Sequence, residues 1–168
     1  MNGKTRRSIS ILVALLLVFV VAATVAAQGR GPVDNFRAHL SGGNEVPAVD
    51  TLSQGQAIFQ VSADGSSLSY RLIVANLEDT LQAHIHVGPP GENGPVVAFL
   101  YPSAPPAQLI PGRFSGVLAT GEVTAADLRG PLAGMSLDDL LAEIAAGNTY
   151  VNVHTLANPG GEIRGQIR

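Results

Sequence analysis

The stretch Gln82-Ala83-His84-Ile85-His86-Val87-Gly88 sets two imidazoles one residue apart. In an extended strand alternate side chains face opposite ways, so Gln82, His84 and His86 share one face and Ala83, Ile85 and Val87 the other. Two imidazoles on one face of a stiff scaffold can grip a metal ion or carry a proton. A second run, Tyr150-Val151-Asn152-Val153-His154-Thr155, repeats the pattern, with Tyr150, Asn152 and His154 on its polar face. Three of the four histidines therefore fall on the polar faces of two short β-like runs. If those strands are neighbours, the three imidazoles converge. Such a trio suits copper, or zinc as the second choice, with a further position open to water or ligand. The competing reading is a buried polar network in which Tyr150, Asn152, Glu162 and Arg164 hydrogen-bond the histidines and fix the strand register. His39 lies outside both runs and reads as surface.

Other chemistries find less support. Glu45 and Glu162 are the acids nearest these segments, and neither has a carboxylate neighbour in sequence. No serine sits in a Gly-x-Ser-x-Gly elbow. Gly42-Gly43 lacks the helix and lysine of a phosphate loop.

The chain opens Lys4-Thr5-Arg6-Arg7 and runs apolar from Ile11 to Ala27, broken only by Thr24. A basic start, an apolar middle and the small residues Val25-Ala26-Ala27 predict a signal peptide over 1–27, cleaved before Gln28. An uncleaved anchor is the alternative, because the apolar run approaches bilayer length. The destination is accordingly secreted, periplasmic or cell-surface. There is no cysteine, so the domain must hold itself by its core alone. From Gln28 onward seven arginines face thirteen acids, a formal charge of −6, and no lysine remains. That balance argues against nucleic acid and anionic lipid as partners. The partner is expected to be an extracellular protein or a small ligand, and the membrane enters only if residues 1–27 stay attached.

The positioning elements are short strands between turns. Residues 28–35 read as a linker and 36–168 as one domain. Phe36–Ser41 alternates, and Glu45-Val46-Pro47 reads as an extended or edge segment. Gln56–Val61 and Leu68–Val74 flank Asp64-Gly65, a tight hairpin signal. The His84 strand is followed by a loop dense in Gly and Pro over 88–95, then by the apolar Val96–Tyr101. Four prolines predict loop over 102–112, and Arg113–Leu118 resumes a strand. Thr124 can cap a short turn. Ser136 can cap a helix over 137–146 with an apolar stripe of Leu137, Leu140, Leu141 and Ile144 and Gly147 beyond its end, a lid over one end of a β-structure. The His154 strand and Glu162–Ile167 form a second hairpin. The expected fold is all-β, an antiparallel Greek-key β-sandwich or barrel with one or two short helices in a late connection. Ile58 or Phe59 or both, Leu72, Ile85, Val97, Phe99, Val151, Val153 and Ile163 are the expected core.

Leu40-Ser41-Gly42-Gly43-Asn44-Glu45-Val46-Pro47, Ala83–Gly88, Asn93–Val97, and Tyr150–Thr155 leading into Pro159–Ile167 together resemble the CHRD domain, named from the extracellular developmental protein chordin. The resemblance covers roughly 36–168. It implies an extracellular setting and a binding role, since chordin binds growth factors, and assigns no activity. The layout of His-x-His, a later Val-His strand, a Gly-rich turn and an arginine on the last strand is also similar to copper/zinc superoxide dismutase. That likeness implies His84, His86 and His154 as copper ligands and Arg164 as an anion guide; independently of it, Arg164 at the margin of the site could serve an anion or a carboxylate such as Glu162 or Glu45. No histidine lies between His86 and His154 to bridge to zinc, and the family's disulfide is missing. Three function classes follow: a non-catalytic binding module, a copper- or zinc-binding protein, and a redox enzyme of dismutase type.

Overall fold

The computed structural model describes residues 35–168; the signal-peptide reading and all of the linker but Asn35 lie outside the described residues. Seven strands follow in order: β1 Asn35–Ser41, β2 Gln54–Val61, β3 Ser67–Val87, β4 Val96–Tyr101, β5 Ile110–Thr124, β6 Thr149–Thr155 and β7 Ile163–Gln166. One α-helix, α1, spans Leu137–Ala145. Every pairing is antiparallel, as the all-β reading expects.

β3 is the axis of the molecule. Sequence reasoning treats Leu68–Val74 and the His84 run as separate strands, whereas the structure runs one strand of 21 residues through both. Asn76 and Asp79 take left-handed φ values of 60° and 50°, and the pairing with β5 slips between Val74 and Leu77 and again between Glu78 and Thr80. Asn and Asp tolerate that conformation, so residues that can end a strand here bulge it instead. The Asn76 N–H donates to Ser115 Oγ at 2.9 Å, and Asp79 Oδ1 accepts from the Gly112 N–H at 2.7 Å. The bulges let one strand serve two neighbourhoods. Its first half pairs β2 and β5, and its second half pairs β6 and β4.

The order β2-β1-β7-β6-β3, with β3 pairing back onto β2, closes the sheet on itself. Of the sandwich and the barrel, the chain adopts the barrel. Both predicted hairpins form: Gly65, at φ 71°, turns β2 into β3, and β6 pairs with β7. β5 is longer than its sequence suggests, starting at Ile110 inside the proline-rich stretch, where Gly112 at φ 75° admits the required bend. Glu45-Val46-Pro47 forms no strand; a 3-10 turn at Gly42–Asn44 leads into irregular chain.

Leu72, Ile85, Val97, Val151, Val153 and Ile163 are all fully buried. On β2 the inward parity belongs to Ala57, Phe59 and Val61, which leaves Ile58 43% exposed. Phe99 is a second correction. Ala98 and Leu100 point into the core on either side of it, and its half-buried ring lies against His84. α1 starts as predicted, with Ser136 and Asp139 forming a capping box through 2.6 and 2.9 Å bonds, and buries Leu137, Leu140 and Ile144.

Candidate metal centre

Both faces of β6 are buried over its whole length, although only Val151 and Val153 of its residues are apolar. The apolar face meets the core. The polar face is covered by the 88–95 loop and the 156–162 turn, so its polar atoms must find partners inside the protein. β3 and β6 are neighbours, with Gln82 opposite His154, His84 opposite Asn152 and His86 opposite Tyr150. The alternation anticipated in both strands thus brings His84, His86 and His154 together. One nitrogen from each lies within 4.8 Å of the others, and the three residues are 4%, 8% and 6% exposed. Among the described residues no other set of three histidine or acidic side chains gathers in this way.

Backbone carbonyls aim two of the rings. His86 Nδ1 is 2.8 Å from Gly94 O, and His154 Nδ1 is 2.9 Å from Pro159 O. A carbonyl only accepts, so each Nδ1 carries the proton and each Nε2 keeps its lone pair. His86 Nε2 has no partner at all. His154 Nε2 lies 3.2 Å from His84 Nδ1, and His84 Nε2 is buried and unpartnered. Burial, reinforced by His154 and His86, lowers His84 to about 3. Burial also lowers His86 and His154, against the opposing pull of Gly94 O and Pro159 O. The trio is neutral at physiological pH, the state in which imidazole ligates.

The donor set fits a transition metal. Two nitrogens bound tetrahedrally to one ion at about 2.0–2.1 Å stand about 3.3 Å apart, close to the 3.2 Å between His84 Nδ1 and His154 Nε2. His86, somewhat farther out, has its free Nε2 for the third position. In the metal-free protein the His84–His154 contact is a hydrogen bond whose proton an ion would displace.

Sequence reasoning missed the two carbonyls, because main-chain acceptors leave no side-chain signature. Only the glycine hints at one of them. A Cβ on Gly94 would collide with the Val87 carbonyl, so glycine alone lets the loop fold back far enough to reach His86. The Gly94 N–H also donates to Tyr150 Oη at 3.1 Å.

Arg164 is 1% exposed. It donates to Pro89 O at 3.1 Å, Glu92 O at 2.8 Å and Asn93 Oδ1 at 3.2 Å, and so clasps the 88–95 loop. Its guanidinium lies 3.4 Å from the centre of the Tyr150 ring, and His86 stacks on the same ring at 4.8 Å and 12°. With β6 between β7 and β3, Tyr150 separates the two. Glu162 faces away from the histidines. Burial would raise its carboxyl, but donors from Ser53, Thr155, Thr51 and Asn158 outweigh this and hold it below the usual range. Glu45 is equally buried yet has an unpartnered Oε1, and burial lifts it to about 7 against the pull of Arg164. His39 is exposed on β1, away from the trio.

No curated protein and no solved structure matches the chain. A family model does, that of the CHRD domain, over residues 36–167. That span holds all seven strands but the first residue, all three histidines and the loop and turn that aim them, and the chain belongs to the CHRD domain family.

Proposed function

We propose that this chain is an extracytoplasmic, non-catalytic binding module whose ligand is a copper ion held by His84, His86 and His154, with zinc the next occupant. The observation that carries the reading is the pair of Nδ1–carbonyl bonds at His86 and His154. Such bonds fix tautomer and ring orientation ahead of ligation and raise ligand basicity. The His86 Nε2 atom supports it, because a buried lone pair without a donor is costly until something fills the space. Bound copper would supply positive charge and an open position for a further ligand. The chain's own residues bind the ion and, through the 88–95 loop, shield it from water. The extracytoplasmic address rests on the 1–27 reading and on the extracellular setting of CHRD domains; among the described residues no helix is long and apolar enough to cross a membrane.

One observation favours a second reading. The His84–His154 hydrogen bond would by itself pin β3 against β6, making the trio a register-fixing network. Copper titration of metal-free protein by calorimetry and electron paramagnetic resonance separates the two. The expected result is saturable one-to-one binding with nitrogen hyperfine structure, lost in the His84→Ala/His86→Ala/His154→Ala variant and kept in His39→Ala. A triple variant that binds copper as tightly as the parent would leave only the network. Superoxide turnover by the loaded protein is the added measurement for the dismutase alternative.

A further inference from the structure

A second array lies on the outer face of the β1–β7 pair. Ser41 pairs with Arg164, and at the other end Arg37 and Arg168 exchange backbone N–H···O bonds of 2.8 and 2.9 Å. This register puts Arg37 beside Arg168 and His39 beside Gln166, all on one face. They floor an open cleft of about 610 Å³, walled in part by Glu45. Its volume is that of a small-molecule site.

The charges are distributed unevenly. Residues 35–168 hold six arginines and twelve acids, yet three of those arginines line this cleft and only one acid does. Glu45 barely offsets them, because with its carboxyl lifted to about 7 a good part of it is uncharged near neutrality. Arg37 and Arg168 stand directly opposite each other, an arrangement that like charges make unfavourable. Among the described residues neither has an acidic partner; the ion pair there joins Arg113 to Glu78, far along the chain. The backbone pairing places the two residues together, and an anion held between the two guanidinium forks would offset the repulsion between their side chains.

We propose that the β1–β7 cleft binds a small molecule carrying two or more carboxylate or phosphate groups, gripped by Arg37 and Arg168 and flanked by His39. None of the three histidines lines the cleft, which borders their site only through Arg164 and the 88–95 loop, and no metal is needed for the grip. Carboxylate and phosphate share the chemistry the forks recognise, and titration tells them apart.

The test is calorimetric titration of the metal-free protein with citrate, pyrophosphate and acetate at constant ionic strength. Saturable one-to-one binding of citrate or pyrophosphate is expected, the tighter of the two naming the anion type, with acetate at least about tenfold weaker. Arg37→Gln/Arg168→Gln should weaken the tighter anion by about tenfold or more, the loss of one charged bidentate contact. His39→Ala should lose less. Arg71→Gln/Arg113→Gln removes the same charge from exposed positions outside the cleft and should leave binding unchanged. All the substituted side chains are exposed, and matching melting curves will show that the variants fold. No saturable binding by either polyanion would overturn the proposal, and so would equal weakening by the two double variants.

Discussion

Two carboxylates shielded from solvent, Glu45 in the β1–β2 connection and Glu162 at the end of the β6–β7 turn, differ in the partners the chain gives them. Glu162 is 7% exposed and Glu45 is 6% exposed. Around Glu162 the chain supplies hydroxyls: Ser53 at 2.6 Å and Thr51 at 2.9 Å on one oxygen, Thr155 at 2.6 Å and Asn158 Nδ2 at 3.3 Å on the other. These bonds join the β1–β2 connection to the β6–β7 turn and hold the charge inside. Around Glu45 the chain leaves Oε1 bare, and the carboxyl rises to about 7. Solvent exposure alone does not set the state of a buried acid; the packing around it and the donors reaching it do. The Glu162 region is finished as structure. The Glu45 region keeps an unmet polar atom in the wall of a cleft.

Removing Glu162 should break this comparison most severely. Glu162→Ala removes the acceptor shared by four donors, leaves the Thr155 hydroxyl without its 2.6 Å partner, and loosens the turn whose Pro159 carbonyl aims His154. Chemical denaturation should register a loss of roughly 3–5 kcal/mol, and a loss under about 0.5 kcal/mol would mean that the network is ornamental. Glu45→Gln sharpens the contrast through pH. The carboxyl's folded pKa, about 7, lies above its ordinary value of 4.5. Its favourable contribution is therefore complete below pH 4.5 and lost as pH rises through 7. Between those limits the parent should lose about 1–3 kcal/mol relative to the Gln variant, in denaturation series at pH 4.5, 6 and 8. A gap that stays constant with pH would show Glu45 to be as well satisfied as Glu162. The smallest effect belongs to Thr51→Val, which takes one hydroxyl from Glu162. It should cost about 0.5–1.5 kcal/mol at pH 7, a cost that shrinks once acid protonates the carboxyl.

Much of this was legible because strands encode their faces in alternate residues. The period of two placed His84, His86 and His154 on polar faces, and the Asp64-Gly65 and Pro159–Gly161 turns fixed the hairpins. The same rule could not choose between Ile58 and Phe59, which are both apolar and opposite in parity. It buried Phe99 because an apolar run such as Val96–Tyr101 carries no alternation to read. Asn76 and Asp79 serve turns and bulges equally, and only the pairing of the whole of β3 decides which. At the site, the histidines could be named from the sequence but the Gly94 and Pro159 carbonyls could not. Arg164 was visible as a charge, while its three acceptors belong to a loop more than 70 residues away.

Closure of the sheet has a consequence for the order in which the molecule can be built. β7 is four residues long and comes last, yet it lies between β1 and β6. Its Arg164 must meet Ser41, 123 positions earlier. Contacts so distant in sequence are made late and slowly, since the intervening chain must be gathered before they contribute. Until then β1 and β6 each have an unpaired edge, a state prone to wrong partners. Placing β7 completes the circuit, draws Arg164 under the 88–95 loop and sets Arg168 beside Arg37. A nascent chain therefore passes through a stage with its hairpins formed but the sheet still open, and the arginine cleft comes into existence only when the final strand docks on β1.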